Sequence, residues 1–248
     1  MKVVYHPRFG EVYESDPAAE VGRMEPIAKE LAGFEFVRPD GANVDDVLLC
    51  HTPGHISYVQ HYGSVFDMAM LAAGGAIRAA EIGYSGEGAF AAIRPPGHHA
   101  SADSCWGFCF FNNIAIALAG LLEESKIKSA LVLDFDLHFG DGTANIFEAK
   151  PAVTYFHPED GNRQAFVDHV VRFLGDHKAD IIAVSAGFDR HIEDWGRLLT
   201  TDDYRTMGTV VKEFAVKNCK GRRFGVLEGG YNHAVLGKNV RAFVEGMA

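Results

Sequence analysis

The sequence predicts an α/β protein built on a parallel sheet with helices over both faces, and three observations carry that expectation. Short apolar, β-branched runs recur along the chain with helical segments between them. The runs are close to continuously apolar, as strands buried on both sides must be, which favours a parallel sheet with right-handed crossovers. Several runs end in polar groups, where open parallel sheets place their ligands. The 248 residues carry no Pro-, Ser- or charge-rich linker, so one domain spanning 1–248 is expected.

In chain order, Lys2–Tyr5 and Phe34–Val37 read as the first strands. Phe66–Ile82 is Ala-rich with its apolar residues on one face and reads as a helix before the strand Phe90–Ile93. Ile114–Glu124 stays apolar to a charged end, a helix feeding the strand Ala130–Leu133. Val153–Phe156 is the next strand, and a helix follows His157–Asn162. Asp180–Val184 is a strand; Asp203–Asn218 is a helix that either Thr200 or Thr201 can cap; Phe224–Leu227 is the last strand. No internal repeat or low-complexity segment is visible.

Composition narrows the function classes. With 48% hydrophobic and 23% charged residues, the chain matches an ordinary soluble globular protein. The net charge of −10 argues against nucleic-acid binding, which needs a basic patch, and makes cationic substrates electrostatically welcome. The opening MKVVYHPRFG has no apolar leader core and no later run approaches a membrane span, so a cytoplasmic protein without a membrane partner is expected. Cys50, Cys105, Cys109 and Cys219 are too scattered for a disulfide framework or a zinc ribbon and read as reduced thiols. Twelve histidines are the compositional oddity, and position must decide which of them matter.

Four predicted strands end in reactive groups: Arg94-Pro95-Pro96-Gly97-His98-His99, Asp134-Phe135-Asp136-Leu137-His138, Ser185-Ala186-Gly187-Phe188-Asp189 and Glu228-Gly229-Gly230-Tyr231. Residues two apart in an extended strand end face the same side, so Asp136 and His138 can converge on one ion. Asp189 supplies a third ligand and leaves a position open for water, as catalytic zinc requires. The Pro95-Pro96-Gly97 turn places His98 and His99 at the lip of the sheet, with Asp134 and Asp141 available to set their tautomers and charge. Tyr231, after two glycines, can donate a hydrogen bond to a carbonyl oxygen as negative charge develops. Each feature alone has a bland counterpart: a surface Asp-x-His pair, a turn aspartate, a loop His pair, a structural Asp134, a packing tyrosine.

The blocks Tyr5-His6-Pro7, Glu25-Pro26-Ile27, His51-Thr52-Pro53, Arg94–Ala100, Gly107-Phe108-Cys109-Phe110-Phe111-Asn112-Asn113, Asp134–Thr143, Ser185–Asp189 and Glu228–Asn232, in this order, resemble the histone deacetylase and acetylpolyamine amidohydrolase superfamily. The wording of the Phe-Cys-Phe-Phe-Asn and Glu-Gly-Gly-Tyr-Asn segments leans towards its class II-like branch. The resemblance implies the single-domain arginase/deacetylase-type α/β fold and zinc-dependent deacetylation of an acetylated or acylated amine such as lysine or a polyamine. It implies zinc, with iron(II) as the alternative metal, held by Asp136, His138 and Asp189. His99 becomes general base and then acid, Asp141 orients it, and His98 paired with Asp134 tunes the site. Tyr231 polarises the carbonyl, the backbone of Gly107 accepts the substrate N–H, and Phe108 lines the entry. A structural potassium ion would use Asp134 and the backbone of Asp136 and His138.

The chain departs from that pattern at three places. Phe139 stands where a second His usually follows the ligand. Tyr155 stands where a Ser commonly helps hold potassium. The His157–Asp180 connection lacks the long loop that carries an aromatic opposite Phe108, which predicts a wide or one-sided cleft and weak acyl selectivity. Two other functions compete with this one. A ureohydrolase of the same fold needs an extra bridging Asp, whereas Leu137-His138-Phe139-Gly140 provides none and Tyr231 would have no role. A non-catalytic acyl-ligand binding module would not need every catalytic position filled.

Overall fold

A computed structural model describes residues 1–248. In chain order the elements are β1 (Lys2–Val4), α1 (Met24–Glu30), β2 (Glu35–Val37), α2 (Val44–Leu48), α3 (Pro53–Gln60), α4 (Ser64–Tyr84), β3 (Ala89–Ala91) and α5 (Asn113–Glu123). There follow β4 (Ala130–Asp134), α6 (Asp141–Phe147), β5 (Val153–Phe156), α7 (Arg163–Gly175), β6 (Ile181–Ala186), α8 (Thr201–Asn218), β7 (Arg223–Leu227) and α9 (His233–Met247). The seven strands form one sheet in the order β2-β1-β3-β7-β6-β4-β5, and every pairing is parallel.

Every residue of β3, β4, β6 and β7 is buried, so these central strands are covered on both faces and their unbroken apolar character is explained. The helix α4 packs on β1, β3 and β7 and against α5; α8 packs on β6 and β7 and against α9, which also meets α1. One continuous hydrophobic core joins them. The expected strands all form, with ends shifted by one or two residues. The strand β6 runs on to Ala186 because its partner β7 continues to Leu227, the two being paired in register. At the start of α8 it is Thr200 that caps: its hydroxyl and its N–H both reach the Asp203 carboxylate at 2.7 Å.

The sheet order decides what the site contains. The strands β3, β7, β6 and β4 stand side by side at its centre. Their carboxyl ends, as far apart in sequence as Ala91 and Leu227, therefore open onto one place. Two of the loops that leave these ends are tied down by helix caps. Asn112 accepts the Ala115 N–H (3.1 Å) at the start of α5, and Asn232 accepts the Ala234 N–H (3.1 Å) at the start of α9. No helix is long and apolar enough to cross a membrane.

Candidate active site

From β4, the chain passes through Asp134 into a tight turn in which Asp136 Oδ1 accepts the His138 backbone N–H (2.9 Å). The turn brings His138 Nδ1 to 3.2 Å from Asp136 Oδ1 and 3.3 Å from Asp189 Oδ2, the latter carboxylate arriving from the end of β6. The ligand atoms of the three residues lie within 4.8 Å of one another. Both carboxylates are buried while His138 is partly exposed. The adjacent carboxylates of Asp136, which accepts from the ring, and of Asp189 raise the His138 imidazole to about 10. Burial, and then the charge of Asp136, pushes Asp189 up to about 7. Burial works against ionisation of Asp136 too, but His98 and His138 outweigh it and hold that carboxyl below its ordinary value.

These residues fit a divalent cation. Asp189 Oδ1 takes the Leu137 N–H (3.0 Å), whereas Oδ2 is buried and accepts no hydrogen bond. An acceptor left over beside a second carboxylate and an imidazole is the donor set that a three-ligand zinc site uses. The packing demands glycine here as well: a side chain at Gly229 would come within 2.5 Å of Asp136 Oδ2, while its N–H donates to that oxygen at 2.8 Å.

The β3 end supplies the two imidazoles through a turn that begins at the cis Arg94-Pro95 bond. Glu228, after β7, accepts the N–H groups of Gly97 (2.7 Å) and His98 (3.2 Å) and so anchors this turn. Burial raises that carboxyl to about 7. His98 pairs with Asp134 (3.0 Å) and His99 with Asp141 (2.6 Å). The two rings diverge in basicity. Burial opposes the charge on His98, but Asp134 and Asp136 overcome it and raise that imidazole well above its ordinary value. Burial and the neighbouring His98 lower His99, with Asp141 pulling the other way. The basicities of two adjacent imidazoles are thus pushed in opposite directions, an arrangement that can provide both a fixed charge and a free base.

Tyr231 lines the same pocket, and its backbone N–H and that of Asn232 both donate to Asp194 Oδ2 at 2.8 Å. Burial, then the charges of Asp136 and Asp189, keep its phenol well above its ordinary value, so it stays a donor. Gly107 and Phe108 both adopt left-handed backbone, at φ 60° and 66°. A side chain at Gly107 would lie 2.5 Å from His99 Cδ2, so only glycine lets this loop close over the imidazole.

All ten residues expected from the sequence therefore lie at one end of the sheet, and several more join them. The Trp106 indole lies over His99 with centroids 3.9 Å apart, and its Nε1–H donates to Asp141 Oδ2 (2.9 Å). Trp195 stacks on Tyr231 at 4.0 Å and 22°. Trp106, Phe108 and Trp195 wall a cavity of about 130 Å³ whose base holds His98, His99, His138 and Tyr231. This corrects the expectation of a wide cleft. The short β5–β6 connection does lack a wall, but the β6–α8 loop brings Trp195 to the site instead. The adjacency of Trp106 to Gly107-Phe108, and the place of Trp195 in the loop after Asp189, is the only sequence signal for these residues.

A potassium ion near Asp134 would have to compete with contacts already made there. Asp134 Oδ1 takes the Asp136 N–H (3.1 Å), and Oδ2 takes both His98 and the Tyr155 hydroxyl (2.9 Å). The Asp136 carbonyl accepts from Arg190 Nε at 3.0 Å. Phe139 packs edge-on against Tyr155 and His157, so its departure from the family pattern is a matter of packing.

A family profile described as the histone deacetylase domain matches residues 20–159 and 156–247. The chain is 28% identical over 304 residues to a probable deacetylase of Methanothermobacter thermautotrophicus, covering 100% of this chain and 90% of that protein. It is 33% identical over 281 residues to a probable deacetylase of Archaeoglobus fulgidus, covering 92% and 77%. A histone deacetylase-like amidohydrolase of Pseudomonas aeruginosa is 30% identical over 210 residues, covering 69% and 55%. In fold, the chain resembles the crystal structure of the HDA15 HD domain, with a TM-score of 0.85 over 98% of this chain and 88% of that one, at 24% identity.

Proposed function

The chain belongs to the histone deacetylase domain family, and from that premise we propose that it is a zinc-dependent deacetylase hydrolysing the amide of an N-acetylated amine. The observation that carries this reading is one small pocket combining the Asp136, His138 and Asp189 set, the His98–Asp134 and His99–Asp141 pairs and the Tyr231 phenol. Zinc held by Asp136, His138 and Asp189 would supply Lewis acidity to the carbonyl oxygen and make water easier to deprotonate.

The protein's own groups supply the rest. His99, kept neutral by burial and by His98, takes the proton of the attacking water as its oxygen adds to the amide carbon. Asp141 and the Trp106 ring fix the plane in which His99 does so. Tyr231 donates its hydroxyl proton in a hydrogen bond to the carbonyl oxygen as that atom becomes negative. His98, held cationic by Asp134, offsets the charge accumulating at the base of the pocket. The Gly107 carbonyl accepts the substrate N–H, and when the carbon–nitrogen bond breaks His99 returns the proton to the departing nitrogen, leaving acetate and a free amine. The walls of Trp106, Phe108 and Trp195 suit a slender alkyl amine stem, and the net charge of −10 favours a cationic one. Acetyl-lysine peptides, acetylpolyamines and small N-acyl amines all have this form.

The test is a panel of those three substrates, assayed with zinc-loaded and chelator-treated protein alongside Asp136→Ala and Asp189→Ala. The expected result is hydrolysis of at least one substrate by loaded protein only, with both variants losing metal and turnover together. Undiminished metal content in either variant would remove it from the ligand set. Binding of acylated amines without turnover would establish a binding module instead.

A further inference from the structure

The family resemblance places a potassium ion behind the metal ligands, against the backbone of Asp136 and His138. In this chain the neighbouring carbonyls face a guanidinium. Arg190, directly after the ligand Asp189, is only 6% exposed. Its Nε donates to the Asp136 carbonyl (3.0 Å), and its Nη2 reaches the carbonyls of Leu137 (3.3 Å) and Pro158 (3.1 Å) and His157 Nε2 (3.1 Å). The Phe166 ring lies 4.9 Å from Arg190 Cζ. A guanidinium has donors only, so His157 must accept through Nε2. The Asp134 carboxylate beside it is already occupied, partly by the Tyr155 phenol that stands in place of a Ser.

We propose that Arg190 supplies from within the chain the positive charge that a potassium ion supplies in the family, and that it positions the Asp136–His138 turn without any monovalent cation. The chemistry favours the exchange. A guanidinium is always charged and its donors lie in a fixed plane, so it can hold carbonyls at set directions, whereas an ion must be captured from solution. Arg190 also joins three segments, the ligand turn, the start of the β5–α7 connection and the end of β6. It is a positioning residue and touches no reacting atom. Of the functional reading, the inference borrows only the identity of the metal ligands.

The experiment compares wild type, Arg190→Lys and Arg190→Met in potassium, sodium and choline chloride at matched ionic strength. Thermal midpoint and zinc affinity, by chelator competition, are the readouts. Wild type should show the same midpoint and the same zinc affinity, within twofold, in all three salts. Arg190→Met should lose about 10–100-fold in zinc affinity, the usual cost of removing a group that holds metal ligands. Arg190→Lys should recover part of that loss, which a purely space-filling role would not predict. A saturable rise in the wild-type midpoint with potassium alone would overturn the proposal, as would an Arg190→Met protein with wild-type zinc affinity. If Arg190→Met does not fold, the salt comparison on wild type and the affinity of Arg190→Lys decide. Wild type that binds no zinc would sink the functional reading, while the salt-dependent melts would still decide this one.

Discussion

At the scale of single residues, the site works by setting like groups to unlike states. His98 and His99 are neighbours in sequence with ring centroids 4.1 Å apart, yet Asp134 and Asp136 raise one while burial and that raised neighbour lower the other. This has a consequence for pH. A base with a lowered pKa stays competent below the ordinary histidine range, so the acid limb of kcat/KM should lie there. In Trp106→Phe the ring over His99 is kept, but Asp141 loses the indole N–H that now shares its charge. More of that negative charge then acts on His99, raising its pKa, and the acid limb should move to higher pH with little change at alkaline pH. An unmoved limb would show that Trp106 matters only as a wall. Tyr231→Phe keeps the ring stacked on Trp195 and removes one donor, so kcat should fall about 10²–10³-fold with substrate binding much less affected. Equal activity would reduce Tyr231 to a packed aromatic.

At the scale of elements, the loops at the strand ends are held by caps and by buried polar groups. Asp194 gathers two successive N–H groups of the Tyr231 turn, and Glu228 gathers two of the His98 turn. Those contacts join β6 to the loop after β7, and that loop to the one after β3, which no local pattern announces. The helix α8 has the opposite character. Its Thr200–Asp203 capping box is written in four consecutive residues, and Arg163 of α7 binds the same Asp203 at 2.6 Å. Thr200→Ala should cost about 1 kcal/mol. In a chain of this length that lowers the thermal midpoint by about 2–4 °C, with activity unaffected, as differential scanning would read. Among the elements not foreseen from the sequence, α2, α3 and α6 are five to eight residues long, too short to display a helical period. The helix α9 was not foreseen either, although Leu236, Val240, Phe243, Val244 and Met247 recur on one buried face and carry a helical period.

At the scale of the whole molecule, the sheet holds Asp134, Asp136, Asp189 and Glu228 together in a buried space, and these carboxylates repel one another unless cations share it. A metal that binds the folded protein alone should therefore stabilise it by mass action, by about 2.7 kcal/mol at a hundredfold excess over its dissociation constant. Chelation should accordingly lower the thermal midpoint by roughly 5–10 °C. Asp136→Ala should not respond to chelator. A wild-type melt indifferent to chelator would argue that the cluster binds no metal with useful affinity.

Legible in the sequence were the fold class, seven strands to within one or two residues, and the candidate reactive groups, because these are local. An apolar run, a Pro-Pro-Gly turn before His98-His99 and the spacing of Asp136 from His138 are all readable within a few residues. What only the tertiary structure decided was which strand ends are neighbours. Placing β7 between β3 and β6 brings Tyr231 and Glu228 to the histidines. Tertiary structure also decided what replaces the missing wall and what faces the Asp136 carbonyl. Trp195 and Arg190 look like ordinary residues of a loop after Asp189, and they acquire their roles from partners such as Tyr231, Asp136 and Pro158, more than thirty residues away in the chain. Contacts at that separation depend on sheet order and loop closure, which a local pattern does not encode.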